Sequence, residues 1–263
     1  MADEAGFQKH WLDIEPERME RYEKMFRWNT ATEIFYASAR IGEGQIVVDF
    51  GCGPGHAAVE FARRVGPGGH VHALDINAAF IERARAVAEE AGFGDRITAH
   101  LLIDAGLPLP DASVDRIIAR NTIIYVADPV ETLGEFRRVL KPGGLAHAIE
   151  GDWRLTAVEP VPTKDWRALI EAAAWAWPRP EIGRGLYGYF RKAGFVDVSV
   201  QVLTSPDTTG RLTGMIETVA DHARRGGAMD EERIAAILKI VKEARAAGIY
   251  LAISPQFIVT ATV

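Results

Sequence analysis

The 263-residue chain has one cysteine, Cys52. A single thiol excludes an internal disulfide, a multi-cysteine zinc site and a three-cysteine iron–sulfur motif. No apolar run opens the sequence, so neither a signal peptide nor a membrane span is expected. The stretch from Asp13 to Lys24 is charged instead. Long basic runs are also missing: 30 Lys and Arg stand against 36 Asp and Glu, a net charge of −6. Nucleic acid is therefore not an expected partner, because neutralising phosphates takes a basic surface. Internal repeats and low-complexity tracts are absent. What remains has the balance of an acidic cytoplasmic protein, and 48% hydrophobic residues are enough for the core of one elaborated domain.

The most informative stretch runs Val47-Val48-Asp49-Phe50-Gly51-Cys52-Gly53-Pro54-Gly55. A hydrophobic strand carries an acid at its tip and enters three alternate glycines, followed by helix-compatible sequence from His56 to Arg64. Glycine permits tight turns and close backbone approach to a ligand. Strand, Gly-rich turn and helix N-terminus together make a nucleotide-type site. The dinucleotide fingerprint G-x-G-x-x-G is out of register here, since position 56 is histidine. Asp49 would repel a pyrophosphate but suits a ligand with an amino group. His70 to Asp75 then forms a second strand ending in an acid, about where a carboxylate takes both ribose hydroxyls.

On these residues the sequence resembles the class I S-adenosylmethionine (SAM)-dependent methyltransferases, of the small-molecule type that includes the ubiquinone and menaquinone enzymes. The resemblance runs from about Ile41 to Val202. Further features match in order: Asp104-Ala105 after the third strand, Leu107 to Asp115 leading into the fourth, Asn121 to Pro129 after it, and Arg138 to Leu145 entering the fifth. The resemblance implies a seven-stranded Rossmann-like sheet, parallel with an antiparallel edge pair, and helices on both faces.

The pattern along the chain agrees with that class. Strands are expected at 45–50, 70–75, 97–102, 114–119, 145–150 and 195–203, with a last strand at 250–263 interrupted at Pro255. Helices are expected at 17–39, from the Asn77 cap to Ala91, from Asp128-Pro129 to before Pro142, and at 183–193. Residues 214–247 read as two helices split at Gly226-Gly227. Strands alternating with helices imply a parallel sheet with right-handed crossovers. The chain reads as a single methyltransferase domain: a helical lid over 1–40, a SAM-binding core over 41–150, an acceptor-side insertion over 151–182, and the C-terminal half of the sheet with a helical cap over 183–263.

For the cofactor, the resemblance implies that Gly51, Gly53 and Gly55 let the backbone approach the methionine part and ribose. Asp49 lies near the ligand's amino group, Asp75 holds the ribose hydroxyls and Ile76 packs on the adenine face. Asp104 accepts the adenine amine with Ala105 alongside. Asn121, or the Arg120 carbonyl, lies where the methionine amino group sits. Tyr22 caps the cofactor from the N-terminal helix, so cutting residues 1–30 is expected to weaken SAM binding. Cys52, inside the cofactor loop, reads as a small buried hydrophobe. No cysteine nucleophile and no acid/Asn-Pro-Pro-aromatic motif follows the fourth strand, which argues against methylation of DNA bases.

The acceptor side is less legible. Methyl transfer is an in-line displacement with a good leaving group, so the protein mainly positions donor and acceptor and sometimes removes a proton. Glu150 and Asp152 follow the fifth strand and are the candidate bases. His147 within that strand reads as a packed side chain. All six tryptophans lie outside the nucleotide core, in the N-terminal segment or after strand five. Trp153, Trp175 and Tyr187 are the candidate acceptor contacts, since ligand pockets are apolar and aromatic.

The expected function is methyl transfer from SAM to a small apolar or aromatic metabolite, in specialised metabolism. A quinone-pathway C-methyltransferase, a non-catalytic SAM-binding protein and a nicotinamide-dependent oxidoreductase are the alternatives. The acceptor atom is open among oxygen, nitrogen and carbon, and no metal is indicated. The chain is expected as a monomer or homodimer.

Overall fold

A computed structural model describes residues 12, 14–104 and 106–263. Trp11 and Ala105 lie outside the described residues. Among the described residues, nine strands fall in chain order at Ile46–Phe50 (β1), His70–Asp75 (β2), Ile97–Leu101 (β3), Val114–Arg120 (β4), Leu140–Gly151 (β5), Ala157–Glu159 (β6), Val196–Leu203 (β7), Leu251–Ile253 (β8) and Gln256–Thr262 (β9). The helices are Pro16–Phe26 (α1), Glu33–Tyr36 (α2), His56–Val65 (α3), Ala78–Glu90 (α4), Pro129–Val139 (α5), Thr163–Ala173 (α6), Ile182–Lys192 (α7), Thr213–Gly226 (α8) and Glu231–Ala246 (α9).

Seven strands form one sheet in the order β3-β2-β1-β4-β5-β9-β7. The pairs from β3 to β5 are parallel, and β9 runs antiparallel to both β5 and β7. This is the expected seven-stranded Rossmann-like sheet with its antiparallel edge pair. Local chemistry sets its helix ends. Asn77 caps α4 through the Phe80 amide, and Asp128 caps α5 through the amides of Val130 and Glu131, with Pro129 at the first helical position. α8 stops at Gly226 with Gly227 left-handed, as the paired glycines predict.

Two elements differ from expectation. The long N-terminal helix breaks after Phe26; Asn29 then caps a short 3₁₀ turn through the Ala31 amide before α2. Period alone could not reveal a break made by a local Asn cap. The final strand divides at Pro255, which lies between two strands of different sheets rather than in a bulge. β8 pairs with β6 in a small second sheet, while β9 enters the large one. Proline donates no backbone hydrogen bond, so it suits the crossing point.

The central strands of the large sheet are covered on both faces. On one lie α3, α4 and the N-terminal segment, packed around Phe61, Val65, Val71 and Ile118. On the other lie α5 to α9, around Phe136, Leu169, Leu186, Phe190 and Ile237. The 151–182 segment is a structured layer with β6 and α6, and its Trp166 indole donates to the Thr156 carbonyl at 2.8 Å.

Among the described residues no helix joins β3 to β4; the connection is held from α5. Arg138 donates to the carbonyls of Leu107 (3.0 Å) and Leu109 (2.9 Å) and pairs with Asp111 and Glu135. Glu135 in turn accepts the Leu107 amide at 3.0 Å. Charged-group hydrogen bonds contribute about 1.5–3 kcal/mol each. Arg138→Ala is expected to cost about 2 kcal/mol net and to lower Tm by about 4–8 °C. Faster amide exchange confined to 102–113 would check that the loss is local.

Candidate active site

β1 and β4 are adjacent and parallel, yet β2 lies on the far side of β1 and β5 on the far side of β4. Loops leaving β1 and β4 diverge at such a switch point and open a crevice beyond the strand ends. The glycine turn fills one side of it. The amides of Gly51 and Cys52 both donate to the Leu74 carbonyl, at 2.7 and 2.9 Å, tying the turn to β2. The Gly53 amide donates to Asp75 Oδ2 and the Asn77 amide to Asp75 Oδ1, both at 2.9 Å.

Each glycine has a separate reason to be glycine. Gly51 has φ +74°, and a Cβ there would lie 2.2 Å from Thr122 Oγ1 on the β4 loop. At Gly55, φ is +83° and a Cβ would lie 2.8 Å from the Ala84 Cβ of α4. Gly53, at φ +52°, has nothing within 4 Å of its ideal Cβ. The turn is therefore packed at both ends and open in the middle.

Asp49 sits at the tip of β1, 5% exposed. Burial first, and then the neighbouring Asp75, push its ionisation up to about 7. Its Oδ2 is buried and has no hydrogen-bond partner among the described residues. Arg120 ends β4, donates from Nη1 to the Tyr36 hydroxyl at 3.3 Å, and stacks over the rings of Phe35 and Tyr36. Its charge opposes the upward shift at Asp49. Burial also raises the Asp75 carboxyl. A buried carboxylate oxygen lacking a partner, an open glycine and a second acid suit a ligand that carries both an ammonium group and a ribose.

The other expected cofactor residues lie around the same strand ends. Ile76 is 44% exposed directly after Asp75. Asp104 is exposed, and its Oδ1 accepts the Gly106 amide at 3.0 Å, closing its own turn. Asn121 is exposed and left-handed (φ +52°), its amide donating to the Ile149 carbonyl at 2.9 Å. Cys52 is buried, and burial with Asp75 and Asp49 nearby raises its thiol well above the usual range. A thiol held neutral in this way is a poor nucleophile.

The two candidate bases are committed elsewhere. Glu150, 1% exposed, accepts the amides of Thr122 (2.8 Å), Ile123 (2.6 Å) and Ile124 (3.4 Å) at Oε1. Burial pushes its ionisation up to about 8 against those three bonds. Asp152 is fully buried. It caps the following turn through the amides of Arg154 and Leu155, and it forms a bidentate pair with Arg184 at 2.5 and 2.8 Å. Both carboxyls hold in place the segments that follow β4 and β5. Acting as a base would require Asp152 to leave its arginine, and would require pH above about 8 for Glu150.

The aromatic candidates separate. Trp153 stacks on Trp177 at 4.4 Å, and Trp177 lies beside the Tyr125 hydroxyl. Trp175 donates to the His222 carbonyl at 2.7 Å and packs where a Cβ on Gly226 would fall, which makes it a brace between the 151–182 segment and α8. Tyr187 is 51% exposed on α7, outside the stack. Tyr22 is buried on α1 against Phe26 and Phe80. Burial raises the Tyr125 hydroxyl far above its usual range, with Tyr22 and Glu150 adding to the effect. Tyr22, Glu150 and Trp177 are thus near enough to Tyr125 to influence its hydroxyl, although they come from α1, the end of β5 and the 151–182 segment. The sequence reading missed Tyr125 and the Arg120 side chain. Arg120 closes the apolar run Ile117-Ile118-Ala119, which was the available signal for it; no local signal marked Tyr125.

Neighbouring contacts secure the N-terminal segment. Arg83 pairs with Glu23, Arg64 with Glu33, and the Asn77 side-chain amide donates to the Leu12 carbonyl. His147, 1% exposed, bonds the Phe35 carbonyl through Nε2 at 2.8 Å, and burial lowers its ionisation to about 4. It is a packed, neutral side chain, as expected.

Fold, switch-point crevice, glycine turn and paired acids define the protein's class as a Rossmann-like methyltransferase of class I, built around SAM. The chain belongs to the methyltransferase domain family, whose model matches residues 41–183. A 37.1 kDa protein in transposon TN4556 of Streptomyces fradiae is 33% identical over 62% of this chain and 46% of its own length. The demethylmenaquinone methyltransferase of Symbiobacterium thermophilum is 28% identical over 74% of this chain and 82% of its own length. Among solved structures, a methyltransferase-like protein of Bacillus halodurans shares the fold at TM-score 0.63 and 18% identity, covering 89% of this chain and 99% of that one. The chain spans less than half the length of the first curated relatives it matches. Among the described residues, no helix is long and apolar enough to cross a membrane.

Proposed function

We propose that this protein transfers the methyl group of SAM to a small apolar or aromatic metabolite in specialised metabolism. The observation that carries the reading is the buried, unpartnered Asp49 Oδ2 beside an open Gly53. Asp49 would hold the methionine ammonium, Asp75 the ribose hydroxyls, and Ile76 and Asp104 the adenine. SAM supplies the electrophilic methyl. The chain's own residues orient the acceptor and exclude water from it. The stacked rings of Trp153 and Trp177, with Tyr125 beside them, support an aromatic or apolar acceptor, because such surfaces favour stacking and cation–π contact. Loop positioning by Glu150 and Asp152 supports catalysis by proximity. α1 acts as the lid, with Tyr22 over the cofactor side.

The quinone-pathway alternative draws on the Symbiobacterium relative. Labelled methyl-SAM offered with phenols, indoles and prenylated quinone precursors separates the two. Label in a polar aromatic supports the proposal, and label in a prenylated precursor replaces it with the quinone reading. SAM binding without transfer to any acceptor in the panel or in a metabolite extract would favour a binding protein.

Ionised Asp49 is the form that holds an ammonium group, and its ionisation in the free protein is raised to about 7. SAM affinity is therefore expected to fall roughly tenfold per pH unit below about 7. Asp75, also raised, acts in the same direction. Asp49→Asn should weaken binding at pH 8 and flatten most of this dependence, as read by calorimetric titration between pH 5.5 and 8.

A further inference from the structure

Three of the seven histidines gather on one sheet face, remote in sequence from the glycine turn. β2 alternates its side chains. Val71 and Ala73 point into the core with α3 and α4, while His70 and His72 take the opposite face. β3 behaves likewise: Ile97 and Ala99 face those helices, and Thr98 and His100 face away. In a parallel sheet of this type a crossover helix normally covers such a face. Here β3 and β4 are joined by a loop, so the three imidazoles are only half-buried and Thr98 is exposed.

The register sets His72 opposite Thr98 and Leu74 opposite His100, so His72 and His100 meet on the diagonal. His72 Nδ1 lies 3.1 Å from His100 Nε2, and the His70 ring centroid lies 4.9 Å from that of His72. Two imidazole nitrogens at about 2.05 Å from one ion stand about 2.9 Å apart at a right angle and about 3.3 Å apart at a tetrahedral angle. The observed separation falls between these values.

We infer that His72 and His100 form a two-histidine site for a borderline divalent cation such as Zn²⁺, Ni²⁺ or Cu²⁺, clipping β2 to β3. Imidazole suits these ions, whereas Mg²⁺ and Ca²⁺ prefer oxygen. Water completes the coordination. Among the described residues no group of three or more His, Cys, Asp or Glu converges on one point, and His70 Nε2 is engaged with Thr98 Oγ1 at 2.8 Å. The clip lies outside the methyl-transfer site and is independent of its chemistry. It joins the strands that lead to Asp75 and Asp104.

Titrating the tag-free full chain with Ni²⁺ and Zn²⁺ by calorimetry and thermal melting tests this. A clip binds one ion per chain and raises Tm as the ion saturates, because the unfolded chain lacks the paired rings. Cu²⁺ electron paramagnetic resonance should show coupling to two equivalent-type nitrogens. His100→Gln keeps a hydrogen-bonding group across the strands but removes the ligand; it should weaken binding at least about tenfold. Metal-free melting and circular dichroism report whether that variant folds, and His72→Gln provides a second, independent removal. A simple imidazole–imidazole hydrogen bond predicts no metal-dependent Tm rise. That result, or binding unchanged in both variants, would overturn the inference.

Discussion

Gly51→Ala is expected to lower SAM affinity by more than about a hundredfold, the largest effect of any single methyl group in this chain. Two costs coincide there. The residue's φ is +74°, where a Cβ costs about 1–2 kcal/mol. The new Cβ would also lie 2.2 Å from Thr122 Oγ1 and 2.3 Å from Thr122 Cγ2, and such overpacking typically costs 1–3 kcal/mol. The sum, about 2–5 kcal/mol, corresponds to roughly 1.5 to 3.5 decades in an equilibrium constant, centred above two. Thr122 cannot easily retreat, because its hydroxyl donates to the Arg120 carbonyl at 2.9 Å and its amide is held by Glu150. The turn must move instead, and it carries the Gly53 amide away from Asp75. Gly51→Ala combined with Thr122→Ala should recover the packing share but not the backbone share. Titration of both variants with SAM, alongside their melting temperatures, measures the two shares separately. Full affinity in the single variant would mean that the turn does not contact the cofactor.

Glu150 is expected to give the second large effect, and on stability rather than binding. Its folded ionisation lies at about 8 against an ordinary 4.5. A carboxyl raised on folding stabilises the protein fully below the unfolded value, and that contribution is lost as pH rises towards the folded value. The wild type should therefore lose stability between about pH 4.5 and 8, by an amount on the order of a few kcal/mol, with Asp49 and Asp75 adding to the same trend. Glu150→Gln retains an acceptor oxygen for the three amides and removes the titration, so its profile should be flatter. Glu150→Ala strips the acceptor from buried amides and should cost about 3 kcal/mol or more at pH 6. Denaturant unfolding at pH 5, 6.5 and 8 distinguishes the three proteins. A wild-type profile that rises with pH would contradict the protonated carboxyl. A transfer rate that rises through about pH 8 in the wild type, and is lost in Glu150→Gln, would return Glu150 to the role of base.

The difference between the two sides of the crevice explains how far the sequence could be read. The cofactor side is local: Asp49, Gly51, Gly53 and Gly55 fall within seven consecutive residues, and Asp75 ends the next strand. Glycine spacing and the acid at each strand tip are properties of short segments, and alternating strands and helices announce the sheet. The proposed acceptor side draws on remote segments. Tyr22, Tyr125, Glu150 and Trp177 come from α1, the β4 loop, the end of β5 and the 151–182 segment. No short-range pattern links them. The reading of Glu150 and Asp152 as bases followed from their position after strand five. Position cannot tell whether a carboxylate is already bound to amides or to an arginine.

By itself the sequence determined the sheet class, the family and the glycine turn, because backbone freedom and hydrophobic period are encoded residue by residue. Tertiary structure alone decided which carboxylates are free. Asp49 keeps an unpartnered oxygen in the crevice, while Glu150 and Asp152 are spent on loops. It also decided that Pro255 divides two sheets and that a missing crossover helix leaves three histidines facing outwards. The physical reason is common to all of these. Burial, hydrogen-bond partners and strand order are relations between segments distant in the chain, and they come into being only when the segments pack.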